Sequence, residues 1–271
     1  MSETLTPQTT TDMRSPAEVY DERFVPALFS RWGPVLCDAA RVCPGRRVLD
    51  VACGTGALTV AVAARVRPGG TALGLDASPE MLAVARRKHP DIGWHLGRAE
   101  TLPFADASFD AVVSQFGLMF FDDRVAALRE MQRVLRPGGR LAVAVCDAVE
   151  RSPGYAAFAA LLERLFGTGV ADAFRAPFAL GDADALRALC AEARLTDAGV
   201  VQREGSVRFA SIDALVSTER ACAWTLGGLL DDSQFERLRH ESRRALLPFV
   251  DASGSIEFSM PALLITSPAP G

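Results

Sequence analysis

Two glycines one residue apart, Gly54 and Gly56, directly follow the apolar run Val48-Leu49-Asp50-Val51-Ala52, and the apolar stretch Ala57 to Val66 follows them. Glycines at such a turn let the backbone pass close to a ligand, and a helix that starts there aims its first N–H groups at it. A carboxylate, Asp76, stands twenty residues past Gly56 at the end of the next apolar run. Strand, glycine turn, helix and strand-end acid together are the parts that hold a nucleoside by its sugar hydroxyls at the carboxyl edge of a parallel sheet. Taken alone, the turn and the acid fit many βα units. Gly54 and Gly56 could make a tight turn only, and Asp76 could cap the helix beginning at Ser78.

The elements that must position these residues alternate regularly. Strands are expected at 47–52, 71–76, 92–96, 109–114 and 140–145, with helices at 57–66, 79–88 and from Asp122 or Asp123 to Leu135. Ser78-Pro79-Glu80 supplies a capping serine, a proline at the first helical position and an acid in the first turn. Repetition of this unit implies right-handed crossovers and a parallel sheet covered by helices on both faces. Before the first strand, Val19, Tyr20, Phe24, Leu28, Phe29, Trp32, Val35 and Leu36 recur at helical spacing, predicting one helix or two, broken near Pro26 or at Gly33-Pro34. Beyond the fifth strand the rhythm changes: helix-rich sequence over 148–180, a helix over 182–194, a strand over 200–209, helices over 211–229 and 233–247, and a strand from 256 to about 266. Ser233-Gln234-Phe235-Glu236 reads as the capping box of the second of those helices.

Composition narrows the function classes. A chain of 271 residues, 49% hydrophobic, can bury a large core, and a net charge of −4 offers no general attraction for nucleic acid or an anionic membrane. Lys88 is the only lysine, so no phosphate loop ending in Gly-Lys-Ser/Thr is present. Six cysteines without a C-x-x-C pair, and three histidines (His89, His95, His240) without partner residues nearby, argue against a metal site and for reduced thiols in the cytoplasm. No apolar run approaches the roughly 18 to 20 residues of a membrane span. The first 14 residues are polar and lack periodicity, which predicts a disordered tail.

Four segments stand in one order: Asp50-Val51-Ala52-Cys53-Gly54-Thr55-Gly56, Gly74-Leu75-Asp76-Ala77-Ser78, Ala99-Glu100-Thr101-Leu102-Pro103-Phe104, and Val134-Leu135-Arg136-Pro137-Gly138-Gly139. Together they resemble the class I S-adenosylmethionine-dependent methyltransferases, most closely the branch of ubiquinone and menaquinone biosynthesis; the resemblance is strong over about residues 45–146. It implies a Rossmann-like α/β fold: a seven-stranded, mostly parallel sheet with an antiparallel last strand, helices on both faces, and a helical lid. It also implies a domain over 45–271 with lid insertions at about 148–180 and 211–250, behind a helical cap at 15–44. S-adenosyl-L-methionine is the implied cofactor. Carried over by position, Asp50 and the backbone at Ala52, Gly54 and Gly56 should hold its amino-acid end. Asp76 should accept from both ribose hydroxyls, Ala77, Met81, Ala99 and Glu100 should surround the adenine, and Ser114 and Gln115 should lie beside the methyl group. Two positions depart from the family pattern: Ala52 replaces the first glycine of the turn, and Arg98 stands where an acid often accepts from the adenine amine.

Methyl transfer from a sulfonium is an in-line displacement in which alignment and exclusion of water supply much of the rate. No base is evident from the sequence; Gln115, Asp122, Asp147 and Tyr155 lie at or after strand ends, where surface roles explain them equally well. Tyr20, Phe24, Phe116, Met119, Phe120 and Trp224 are expected to wall an apolar pocket for a small hydrophobic or aromatic acceptor, quinone-like or polyketide-like, with O-methylation favoured over N- or C-methylation. Neither nucleic acid nor membrane is an expected partner, and a homodimer is compatible with the sequence. Two alternatives remain at this stage: a protein that binds the same cofactor without transferring methyl, as a cyclase or binding module, and an NAD-dependent oxidoreductase. The second is disfavoured by the missing third glycine after Gly56.

Overall fold

The computed structural model describes residues 15–195, 197–222 and 225–269, so the reading of residues 1–14 as a disordered tail lies outside the described residues. A seven-stranded sheet forms the centre. Its strands are β1 (Arg47–Val51), β2 (Thr71–Asp76), β3 (Gly93–Leu96), β4 (Phe109–Gln115), β5 (Leu135–Cys146), β6 (Gly199–Arg203) and β9 (Ala262–Pro268), in the spatial order β3-β2-β1-β4-β5-β9-β6. β1 to β5 are mutually parallel, whereas β9 runs antiparallel to both of its neighbours, β5 and β6. The expected sheet, with its antiparallel last strand, is therefore the observed one.

Strand order reverses between β1 and β4, which is the place in such a sheet where a crevice opens beyond the carboxyl ends. Three features converge there: the glycine turn after β1, Asp76 closing β2, and Gln115 closing β4. The strands around this point are buried on both faces, with Leu141 to Val145 fully inaccessible, which is why they read as continuous apolar runs and not as alternation.

The helices of the repeating unit are α4 (Ala57–Val66), α5 (Pro79–Lys88) and α6 (Arg124–Arg133). Ser78 caps α5 by accepting from the Met81 amide at 3.2 Å, and Asp123, not Asp122, caps α6 by accepting from the Ala126 amide at 2.9 Å. The Arg136-Pro137-Gly138-Gly139 segment is not a helix end but the bulged start of β5, with Gly138 at φ +76° and the pairing to β4 shifted between Phe109 and Ala111.

The N-terminal segment is more broken than its apolar spacing suggests: α1 (Pro16–Val19), a π-turn over Tyr20–Phe24, α2 (Val25–Ala27), a 3₁₀ turn over Phe29–Arg31, and α3 (Trp32–Ala39). The break falls at Leu28 (φ −131°), two residues after Pro26. Gly33 and Pro34 cause none, because they lie in the first turn of α3, where a missing N–H costs nothing. A Cβ on Gly33 would sit 2.8 Å from that of Ala61, so glycine there brings α3 close against α4.

Beyond β5 come α7 (Pro153–Phe166), α8 (Thr168–Arg175), α9 (Ala183–Glu192), α10 (Ile212–Ala221) and α11 (Asp232–Ala245). The capping box of α11 is built on Asp231 and Gln234, not on Ser233 and Glu236. Two expected strands are each divided. The strand expected over 200–209 breaks at Glu204-Gly205 into β6 and β7 (Ser206–Phe209), and the one expected from 256 to about 266 breaks at Met260-Pro261 into β8 (Ile256–Ser259) and β9. Both breaks occur at one level, where the Met260 amide donates to the Gly205 carbonyl at 2.8 Å. A Cβ on Gly205 would come within 2.4 Å of the Trp32 ring, so the chain turns aside around that buried indole. The result is a separate antiparallel ribbon, β7 with β8, packed under the helices that follow β5.

Candidate active site

The turn after β1 holds three residues at positive φ: Ala52 (+58°), Gly54 (+55°) and Gly56 (+94°). For alanine this conformation costs roughly 1–2 kcal/mol. Space for its methyl is made by Gly117, where an added Cβ would lie 2.5 Å from the Cβ of Ala52. Gly56 serves another purpose: a Cβ there would meet the Trp94 ring at 2.5 Å, so this glycine admits the indole behind the turn and does not face the crevice.

A cavity of about 460 Å³ opens beyond these strand ends and is lined by Ala52, Gly54, Asp76, Ala77, Met81, Ala99, Glu100 and Gln115 of the expected cofactor set. Asp76 joins two elements: its Oδ2 accepts from the Gly54 amide at 2.7 Å and its Oδ1 from the Ser78 amide at 2.8 Å. Burial raises its pKa while these backbone donors oppose the shift. Asp50 lies beneath the turn, outside the cavity wall and 1% exposed. Its Oδ2 accepts from the Thr59 hydroxyl at 2.7 Å and its Oδ1 has no partner. Burial pushes its carboxyl up to about 7, with Thr59 opposing and the nearby Asp76 charge adding to the rise.

Ser114 is fully buried behind the wall, its hydroxyl oxygen without a partner. Gln115 does face the cavity, and its Nε2 donates to the Phe29 carbonyl at 3.1 Å, tying the end of β4 to the N-terminal segment. Arg98 pairs with Asp122 and lies 3.4 Å from Glu100, whose Oε1 accepts from the Asp122 amide at 3.1 Å. Both of the acids near Arg98 are thus engaged by it, and Asp122 belongs to this ion-pair group at the rim.

The rest of the cavity is aromatic. Tyr20, Phe24, Phe116, Met119 and Phe120 line it, while Trp224 lies outside the described residues. Sequence reasoning missed Phe29, Phe174, Phe178, Glu219 and Thr225, and left Tyr155 as one of several strand-end residues. A signal for Glu219 was present: Leu215, Val216, Glu219 and Cys222 recur at spacings of three and four, which puts a carboxylate in the buried stripe of α10. Phe174 and Phe178 are likewise four residues apart, and both rings pack on that of Tyr155, at 5.6 and 5.8 Å. Asp147 does not line the cavity; it is buried and accepts from Gln202 Nε2 at 2.5 Å and from the Ala148 amide at 2.8 Å. Among the described residues no histidine lines the cavity. Among the described residues no group of three or more His, Cys, Asp or Glu is placed to hold a metal, and no helix is long and apolar enough to cross a membrane.

Residues 49–143, which contain the turn, Asp76 and the strand ends around the switch in strand order, match the family model described as a methyltransferase domain. Over this stretch the chain is similar to methyltransferase domains. Relatives include a demethylmenaquinone methyltransferase of Chlorobaculum parvum, 50% identical over 93 residues, which are 34% of this chain and 38% of that protein. A second, from Beutenbergia cavernae, is 44% identical over 130 residues, covering 48% of this chain and 51% of that protein. The chain thus matches about half the length, or less, of these curated relatives. The crystal structure of the YcgJ protein of Bacillus subtilis shares the fold over 89% of this chain and 99% of its own, with a TM-score of 0.60 at 20% identity.

The cavity meets the chemical demands of S-adenosylmethionine at three points. A carboxylate faces the space where a ribose diol needs acceptors, and glycine backbone, not side chain, bounds the wall next to it. Below the turn, Asp50 keeps one oxygen that no protein group satisfies, a feature suited to the field of an ammonium or to a donor brought by a ligand.

Proposed function

We propose that the protein methylates a small aromatic acceptor at oxygen, using S-adenosylmethionine. The observation that carries this reading is the continuity of one cavity: Asp76 and the glycine turn stand in the wall of the same space as the aromatic side chains of Tyr20, Phe24, Phe116, Met119 and Phe120. Asp76 would accept from the ribose hydroxyls with the lone pairs its two backbone donors leave open. Ala52 and Gly54 would hold the amino-acid end through their backbone, supported from below by Asp50 and, through the shape of the turn, by Gly56. Ala77, Met81, Ala99 and Glu100 would surround the adenine. Gln115 would stand beside the reacting carbon, with Ser114 behind it.

When bound, the sulfonium supplies an electrophilic methyl group. What the chain contributes is placement in a dry chamber, where alignment of acceptor and methyl carbon lowers the barrier. The segment 15–44, together with helices of the stretches 148–180 and 211–250, acts as the cover that excludes water and selects the acceptor. We place the protein in the cytoplasm, in line with six cysteines of which none forms a disulfide. A net charge of −4 leaves nucleic acid without a general electrostatic attraction.

Calorimetric titration with S-adenosylhomocysteine and with NAD tests the cofactor half, and tight NAD binding without a response to S-adenosylhomocysteine would refute it. Incubation with cofactor labelled in the methyl group and a panel of phenols and hydroxyquinones tests transfer; label appearing in a product separates a transferase from a protein that only binds the cofactor.

A further inference from the structure

The aromatic half of the cavity contains one acid that the family motifs do not reach. Glu219, on α10, lines the cavity yet is 2% exposed. The Tyr155 phenol stands close enough to its carboxylate to oppose the rise of its pKa, while Oε2 is buried without any partner. The neighbouring Thr225 hydroxyl is 3.0 Å from the Glu219 backbone carbonyl, to which it donates.

Among the described residues no cation compensates this acid, and the one basic residue in the cavity wall, Arg98, is held by Asp122 and Glu100. The titratable groups that face the pair are Tyr155 itself, from α7, together with Cys222 and Cys146. Burying an unpaired carboxylate among phenylalanines costs several kcal/mol, and leaving an oxygen unsatisfied adds to that cost. A carboxylate kept in such a place, with a spare acceptor lobe in a ligand chamber, is suited to a donor that arrives with the ligand.

We propose that Glu219 is the base for the acceptor: Oε2 receives the proton of an aromatic hydroxyl, and the neighbouring Tyr155 phenol orients the carboxylate. This rests on the methyltransferase reading above. The hydroxyl proton passes to Oε2 as the acceptor oxygen's electron pair forms the bond to the methyl carbon. The electrons of the breaking carbon–sulfur bond stay on sulfur, so the products are a methyl ether, S-adenosylhomocysteine and a neutral Glu219, which returns the proton to water. Burial pushes the Glu219 carboxyl up to about 7, where an acid group is matched to taking a proton near neutrality, with Thr225 and Tyr155 opposing the shift.

The acceptor class follows from the walls: a planar, apolar ring system bearing a hydroxyl that reaches Glu219. Binding of naphthol and of its methyl ether, methoxynaphthalene, to the protein saturated with S-adenosylhomocysteine tests this without turnover. The ratio of their affinities isolates the hydroxyl, and it cancels any titration of Asp50, whose carboxyl is also raised to about 7. The wild type should prefer naphthol, and Glu219→Gln should lower that preference about tenfold or more, as loss of a charged acceptor implies. S-adenosylhomocysteine should bind Glu219→Gln as it binds the wild type, which also reports that the variant folds. Tyr155→Phe should lower the preference severalfold and serves as the second variant if Glu219→Gln does not fold. A wild type that shows no preference for the hydroxyl, or a preference that survives in these variants, overturns the assignment. Absent binding of S-adenosylhomocysteine to the wild type refutes instead the reading on which it rests.

Discussion

The Gly54 amide donates to the Asp76 carboxylate at 2.7 Å, so the turn leaving β1 and the last residue of β2 are one unit. The same carboxylate also holds the start of α5 through the Ser78 amide. Asp76 therefore ties the turn to the start of α5 and also faces the cavity.

Replacing Asp76 is accordingly expected to act twice. Asp76→Ala should weaken S-adenosylhomocysteine binding by roughly a hundredfold, since hydrogen bonds to a charged group contribute about 1.5–3 kcal/mol each. Asp76→Asn, which keeps one acceptor oxygen, should lose less. Isothermal titration of both variants measures the difference, and unchanged affinity in Asp76→Ala removes the ribose contact.

Gly56 and Gly138 provide a matched pair for stability. Both have positive φ, but a Cβ on Gly56 would strike the Trp94 ring at 2.5 Å, whereas one on Gly138 meets nothing within 4 Å. Gly138→Ala should cost about 1 kcal/mol from conformation alone, and Gly56→Ala about 2–4 kcal/mol from conformation and overpacking together. Urea unfolding of the two variants reads the contrast directly.

Asp50 makes stability depend on pH. Its folded-state pKa lies above the ordinary 3.8, at about 7, so between those values the folded chain binds more protons than the unfolded one. Its contribution is fully present below about 4 and is lost as pH rises through 7. The stability of Asp50→Asn relative to wild type should therefore improve by a few kcal/mol from pH 4 to 8, measured as the difference between denaturation curves without ligand.

Gly154 packs under the aromatic chamber: a Cβ there would lie 2.3 Å from the Phe258 ring, which itself meets Tyr155 edge-on, ring centres 5.0 Å apart. Gly154→Ala should displace this pair and weaken naphthol binding severalfold while leaving S-adenosylhomocysteine affinity unchanged. Titration with each ligand in turn checks the separation; equal losses for both would place the two ligands in one undivided region.

The parallel core was legible because each of its signals is local. Caps such as Ser78, the apolar run of β5 and the glycine turn need only a few neighbouring residues to be understood. Where reading failed, the cause was a distant partner. Nothing near Gly205 announces that Trp32, far back in the chain, divides β6 from β7; the cap at Asp231 is a different kind of miss, since its box with Gln234 is local and was passed over for Ser233. The candidate site divides in the same way. Its cofactor side follows from motifs on consecutive strands, whereas the aromatic side is assembled from α7, α8 and α10 by tertiary packing. Phe174 and Glu219 were therefore missed, although the helical spacing around Glu219 carried a usable hint.

The hydrogen bond from Gln115 to the Phe29 carbonyl gives the roof of the cavity a chemical latch. Gln115 also lines the chamber, so a ligand oxygen that draws its amide protons competes with the roof for them. One side chain thus serves two partners, so whatever draws on the Gln115 amide from within the cavity also draws on its tie to the N-terminal segment.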